Sequence, residues 1–183
     1  MSSSDVPVPT GLPVATSGWP RNGGAKGRHH GGMQISARAD YAVRALLALA
    51  ADETESATAQ VLADRQSLPR KFLEAILSDL RRAGLVRSQR GADGGYRLAS
   101  PASEITIGDV LRAVDGPLAG VRGERPETAS YDGAAEHLQT VWVAVRAAVR
   151  SVLDEVSLAD VLAAKFPDHV QTLVDTPGAW ARR

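Results

Sequence analysis

There is no cysteine anywhere in the 183 residues. That excludes disulfides, thiolate-held zinc and a cysteine nucleophile together. Aromatic residues are also scarce, at 4%, which favours a helical fold packed with Ala, Leu and Val over a β-sandwich. Lysine is confined to Lys26, Lys71 and Lys165, so arginine carries nearly all the positive charge. No apolar run approaches the roughly 18 residues that suggest a membrane span. The first residues lack the basic-then-apolar layout of a secretory signal. The expectation is a cytoplasmic protein that meets no membrane. With 44% hydrophobic residues, the chain can build the core of one domain, with an appended helix and a tail.

The formal net charge is zero, but the charge is unevenly placed. Residues 65–97 carry Arg65, Arg70, Lys71, Arg81, Arg82, Arg87, Arg90 and Arg97 against only Glu74, Asp79 and Asp93. An anionic polymer responds to such a local excess, not to the sum over the chain.

Residues 1–32 are rich in Ser, Pro and Gly without a repeating apolar face, and read as a disordered N-terminal extension. His29-His30 within it reads as solvated tail, since two adjacent histidines do not fill a metal site. From Ser36, a capping residue, Val43, Leu46, Leu47 and Ala50 recur at helical spacing. Thr58 caps a second, short helix with Ala59, Leu62 and Ala63 on its apolar side. Ser67-Leu68-Pro69 forms a turn, with Pro69 suited to the first position of the next helix. That helix runs to about Ala83 with Phe72, Leu73, Ile76, Leu77 and Leu80 on one face, and Gly84 stops it. Leu85–Gln89 and Tyr96–Ala99 read as strands joined by a glycine-rich hairpin turn. Thr106-Ile107-Gly108-Asp109 and Ser157-Leu158-Ala159-Asp160 are capping boxes. Between them lies an apolar stripe of Leu138, Val141, Trp142, Val145, Val149 and Val152. The tail from Pro167 is weakly patterned. The division is 33–116 for the main domain, 117–133 for a flexible loop, 134–164 for a long and a short helix, and 165–183 for a tail.

Helix, turn, helix and a hairpin with a basic glycine tip is the element order of a winged helix-turn-helix. The fold class is therefore mainly α with a small β-hairpin wing, followed by a long C-terminal helix. The third helix packs one face on its own domain and offers Arg70, Lys71, Glu74, Ala75 and Ser78 to a major groove, with Ser67 and Pro69 just before it. Arginine can grip guanine and a carboxylate can accept from the cytosine amino group. Free N–H groups at the helix start favour a phosphate. In the wing, Gly91, Gly94 and Gly95 let the backbone approach, Arg90 suits the minor groove, and Arg87 and Arg97 can meet phosphates. Other readings stay open beside these. Arg81 and Arg82 also suit the helix dipole, Glu74 can pair with Arg70 or Ser78, and Tyr96 can brace the hairpin.

From Met33 the chain resembles the IscR-type (Rrf-two) family of bacterial transcription regulators, over about residues 33–164. The resemblance rests on Ile35-Ser36 with Ala39-Asp40-Tyr41-Ala42-Val43-Arg44-Ala45-Leu46, and on Leu62-Ala63-Asp64-Arg65-Gln66. It continues through Phe72-Leu73-Glu74-Ala75-Ile76-Leu77 and Leu80-Arg81-Arg82-Ala83-Gly84-Leu85-Val86. Arg90-Gly91-Ala92-Asp93-Gly94-Gly95-Tyr96-Arg97-Leu98-Ala99, Ile105-Thr106-Ile107-Gly108-Asp109-Val110 and Asp115-Gly116-Pro117-Leu118 complete it. It implies a homodimer on a pseudo-palindromic operator, usually as a repressor. It also implies that the long helix pairs with a second copy through Leu138, Val141, Trp142, Val145, Val149 and Val152, although periodicity alone would let that stripe pack within its own subunit. The family's base-reading and minor-groove positions match Glu74 and Arg90. Many members hold an iron–sulfur cluster through cysteines before the long helix; residues 117–133 contain none, so no cofactor and no metal is expected. For cluster-free members the resemblance implies a signal that is a small molecule, a partner protein or unknown.

Two other classes compete with a DNA-binding regulator. A winged helix can be a docking module for a partner protein, in which case its basic face would be dispensable. An enzyme is disfavoured by the lack of a phosphate loop, a metal-ligand cluster or a nucleophile–base pair.

Overall fold

A computed structural model describes residues 34–52, 56–91 and 94–181. The expected N-terminal extension, 1–32, lies outside them. Helix α1 (Ala37–Ala50) starts where the Ser36 hydroxyl accepts the Ala39 N–H, satisfying one of the orphan donors of a helix start. Its buried residues, Ala39, Ala42, Ala45, Leu46, Leu49 and Ala50, are mostly small, which lets neighbouring helices approach closely. Helix α2 (Ala59–Gln66) is capped by Thr58 in the same way and ends on Ser67 in the left-handed conformation, φ 55°.

Helix α3 (Arg70–Arg82) differs from the sequence expectation at its start. Pro69 is the N-cap, not the first helical residue. Its extended ψ of 127° keeps it outside the helix, while its carbonyl accepts from the Phe72 and Leu73 N–H groups. Gly84 ends the helix at φ 78°. The Gly84 N–H meets the Arg81 carbonyl and the Leu85 N–H the Leu80 carbonyl, the paired bonds of a Schellman motif. Leu73, Ile76, Leu77 and Leu80 are fully buried, each contributing about 1.5–3 kcal/mol by leaving water. Phe72, expected on that face, is 39% exposed. It sits at the edge of the stripe, edge-to-face with Tyr41 on α1 at 5.8 Å.

Strands β1 (Val86–Gln89) and β2 (Gly95–Leu98) form an antiparallel hairpin with Val86 opposite Leu98 and Gln89 opposite Gly95. Ala57 adds a bridge on the other edge of β2, its N–H and carbonyl both bonded to Tyr96 at 3.0 and 2.8 Å. Gly95 is buried there, and a Cβ on it would lie 2.8 Å from the Ala57 oxygen. Helix α4 (Ile107–Asp115) opens on the Thr106–Asp109 capping box and packs on α1 and α3.

Residues 117–133 contain a turn at Val121–Glu124 and a 3-10 turn at Pro126–Thr128, with Pro126 and Ala129 buried. Helix α5 (Leu138–Leu153) begins later than the expected Ala134, because Gly133 at φ 59° and a 3-10 turn over Gly133–Ala135 precede it. Helix α6 (Leu158–Ala163) has the Ser157–Asp160 capping box. The chain there returns to α4, with Ile107 N–H donating to the Val156 carbonyl and Leu158 N–H to the Ile105 carbonyl. Helix α7 (Asp168–Asp175) corrects the expectation of a weakly patterned tail. Val170, Leu173 and Val174 have helical spacing, and His169 Nε2 lies 2.7 Å from the Ser151 carbonyl oxygen on α5.

Arg112 on α4 joins these parts. It donates to Asp154 at 2.6 Å and to Asp109 at 2.7 Å, and Asp154 also accepts from Arg150. Partial burial works to raise both carboxyl pKa values. Hydrogen bonds from Arg112, with Thr106 at Asp109 and Arg150 at Asp154, outweigh it and hold both below the ordinary value. The Ser157 hydrogen bonds lower Asp160 likewise. A carboxylate whose pKa is depressed by folding stabilises above its unfolded pKa, and that stabilisation is lost as pH falls through the folded value. Stability should therefore drop as pH falls below the usual carboxylate range. In Arg112→Ala that acid limb should be shallower, measured as urea midpoint against pH. An unchanged limb would show that the joint contributes nothing.

Candidate nucleic-acid interface

With Leu73, Ile76, Leu77 and Leu80 turned inward, the amphipathic geometry of α3 leaves Arg70, Lys71 and Ala75 exposed and Glu74 and Ser78 half-buried. Ser67 and Pro69 are exposed in the turn before it. Arg70 Nε donates to Glu74 Oε1 at 2.7 Å, so of the partners open to Glu74 the structure selects Arg70. Lys71 makes no ion pair among the described residues.

At the other end of α3, Arg82 is held by Asp79 at 2.8 Å, and Asp79 also accepts from Arg38 on α1. Arg82 meets Asp79 within α3 and is 76% exposed, whereas the Arg38–Asp79 pair fastens α3 to α1. Sequence reasoning missed it because Arg38 and Asp79 are 41 residues apart. Arg81 is exposed beside Ser88 of β1.

In the wing, Arg90 and Gly91 are exposed at the tip. Gly94 is half-buried, and a Cβ there would meet the Gln89 and Gly91 carbonyls at 2.7 Å. Gly95, expected among the DNA contacts, lies beneath the wing against Ala57, so its need for glycine is met by that packing. Tyr96 packs against the core. Arg87 and Arg97 stand directly opposite one another across the hairpin and line a shallow recess of about 200 Å³ with Ala99 and Ser100. Like charges so placed repel, and neither arginine has a carboxylate partner among the described residues. Such a pair suits an anion.

The apolar stripe expected for a second copy lies on α5. Leu138, Trp142, Val145, Val149 and Val152 are half-buried and Val141 is 50% exposed. No residue of α5 is fully buried.

A helix-turn-helix with a hairpin wing and an exposed basic recognition face defines a winged-helix DNA-binding protein. The family model for Rrf2, described as an iron-dependent transcriptional regulator, matches residues 35–164. The chain belongs to this family of transcriptional regulators, which are not enzymes. A helix-turn-helix regulator of Mycobacterium tuberculosis is 50% identical over 145 residues, covering 78% of this chain and 89% of that protein. The solved structure of CymR, the global cysteine regulator of Bacillus subtilis, superposes with a TM-score of 0.61 at 33% identity, covering 72% of this chain and 97% of that one. That of T. potens IscR gives 0.59 at 33% identity, covering 73% and 88%.

The family description names iron, but the donors here do not fit an iron–sulfur cluster. The chain has no thiolate, and among the described residues no three His, Cys, Asp or Glu side chains converge. No described helix is long and apolar enough to cross a membrane.

Proposed function

We propose that this chain is a cytoplasmic, sequence-specific transcriptional repressor that binds a pseudo-palindromic operator as a homodimer and works without an iron–sulfur cluster. The observation that carries the reading is the division of α3, which buries Leu73, Ile76, Leu77 and Leu80 completely while Arg70 and Lys71 stay exposed and Glu74 half-exposed. Arg70, Lys71, Glu74 and Ser78 enter the major groove, with Ser67 and Pro69 at the groove edge. Arg90 with Gly91 and Gly94 reaches the minor groove, and Arg87 and Arg97 take phosphates. Two such units related by a two-fold axis through α5 meet half-sites about 34 Å apart, one helical turn. Occupied in this way, a promoter is closed to polymerase. The effector is a small molecule or a partner protein.

Selection from a randomised duplex pool tests this, followed by titration at several salt concentrations. Affinity should fall steeply with salt as counterions are released. Arg90→Ala should weaken binding by about 1–3 kcal/mol, and Glu74→Ala should relax base preference at one position per half-site. Recovery of no preferred sequence would sink the reading.

A further inference from the structure

The Arg70–Glu74 pair is placed where it does the helix no service. Arg70 is the first residue of α3, whose N-cap Pro69 offers no side-chain acceptor and whose first turn holds no acidic residue. A cation at that end opposes the helix dipole. Basic before acidic at i,i+4 is also the weaker order for an intrahelical pair. Both side chains are substantially exposed, at 60% and 42%, so the pair contributes little to stability. Its geometry is nonetheless specific. Only Nε of Arg70 meets Glu74, and only through Oε1, leaving the terminal guanidinium donors and Oε2 uncommitted to each other.

We propose that Arg70 and Glu74 act as a single reading unit for one G·C base pair in each half-site, a refinement that rests on the DNA-binding function proposed above. In the major groove a G·C pair presents guanine N7 and O6 as acceptors and the cytosine N4 amino group as donor on one edge. Arg70 supplies donors to the guanine and Glu74 Oε2 accepts from the cytosine amino group, while the Nε–Oε1 bond keeps the two side chains in register. The guanidinium has a second task. A lone carboxylate facing a phosphate-lined groove is repelled, and Arg70 neutralises that repulsion. Arg70 is thus a specificity-determining residue, and Glu74 depends on it.

This dependence gives a test in which the two substitutions do not multiply. Wild type is first used to select a duplex from a randomised pool, and that duplex and its single base-pair variants serve as probes. Arg70→Ala should weaken binding to the selected duplex by about tenfold or more, since it removes the guanine contact and bares the carboxylate. The double variant Arg70→Ala/Glu74→Ala should bind at least about threefold better than Arg70→Ala alone, the sign of a coupled pair. Both single variants should lose discrimination at the same base pair. Arg70→Lys, which keeps the charge but not the planar fork, should retain affinity better than discrimination. If the single effects multiply in the double variant, or fall on different base pairs, the unit does not exist although the protein reads DNA. If wild type selects no sequence, this inference fails together with the function it rests on.

Discussion

Val145→Asp on α5 is expected to give a folded monomer that binds the selected duplex at least about 100-fold more weakly than wild type. The reason lies in what α5 leaves uncovered. A helix whose stripe runs through Leu138, Trp142, Val145, Val149 and Val152, with none of them fully buried, offers an apolar surface that the proposed second copy would cover. A carboxylate placed there would have to leave water unpaired, which costs several kcal/mol. Once the pairing is lost, each protomer grips one half-site alone. Linking two sites is itself worth about 100-fold to 10,000-fold without any new contact. Ala147 lies on the opposite side of α5 and is exposed, so Ala147→Asp should leave the dimer intact. Light scattering and a helical circular dichroism spectrum would report assembly and folding separately. A Val145→Asp protein that stays dimeric and binds as well as wild type would remove α5 from the interface.

Gly95→Val should be among the most damaging single changes in the wing. The added Cβ meets the Ala57 oxygen at 2.8 Å and the Ala57 carbonyl carbon at 2.9 Å, and these are backbone atoms that cannot swing aside. The bridge would open, losing the two hydrogen bonds between Ala57 and Tyr96, each worth about 1 kcal/mol. Overpacking adds about 1–3 kcal/mol. A loss of about 3–5 kcal/mol in urea unfolding is expected, with weaker DNA binding because the tip at Arg90 is displaced. Gln89→Ala, on the exposed side of the same hairpin, should leave stability nearly unchanged. Equal unfolding midpoints for the two variants would show that the close approach to Ala57 is not a constraint.

The elements legible in the sequence were those whose signals are local. Ser36, Thr58, Thr106 with Asp109, and Ser157 with Asp160 each cap a helix within three residues of themselves, and each does so in the structure. The wing was legible for the same reason, since its glycines and strands are contiguous. Features built from distant residues were not. Ala57 meets Tyr96, Arg38 meets Asp79, and Arg112 meets Asp154, each pair far apart along the chain. No period or spacing encodes such meetings. Phe72 was misplaced because a periodic reading cannot tell the edge of an apolar stripe from its centre. Among the interface residues, exposure sorted Gly95 from Gly91, a distinction composition could not make because the two glycines serve opposite needs.

The return of the chain from α5 to α4 has a wider consequence. Ile105, Ile107, Val156 and Leu158 exchange main-chain hydrogen bonds, so the stretch from Ile107 to Val156, which includes α4 and α5, leaves and returns at points moored side by side. Lengthening a surface segment costs only slowly increasing entropy. Apart from the Pro126–Ala129 turn, which Gln139 and Arg146 tie to α5 through Glu127, residues 117–133 can therefore be lengthened without dragging on the grip that the remainder has on a groove. A fold wired in this way can exchange what it listens to while keeping what it reads.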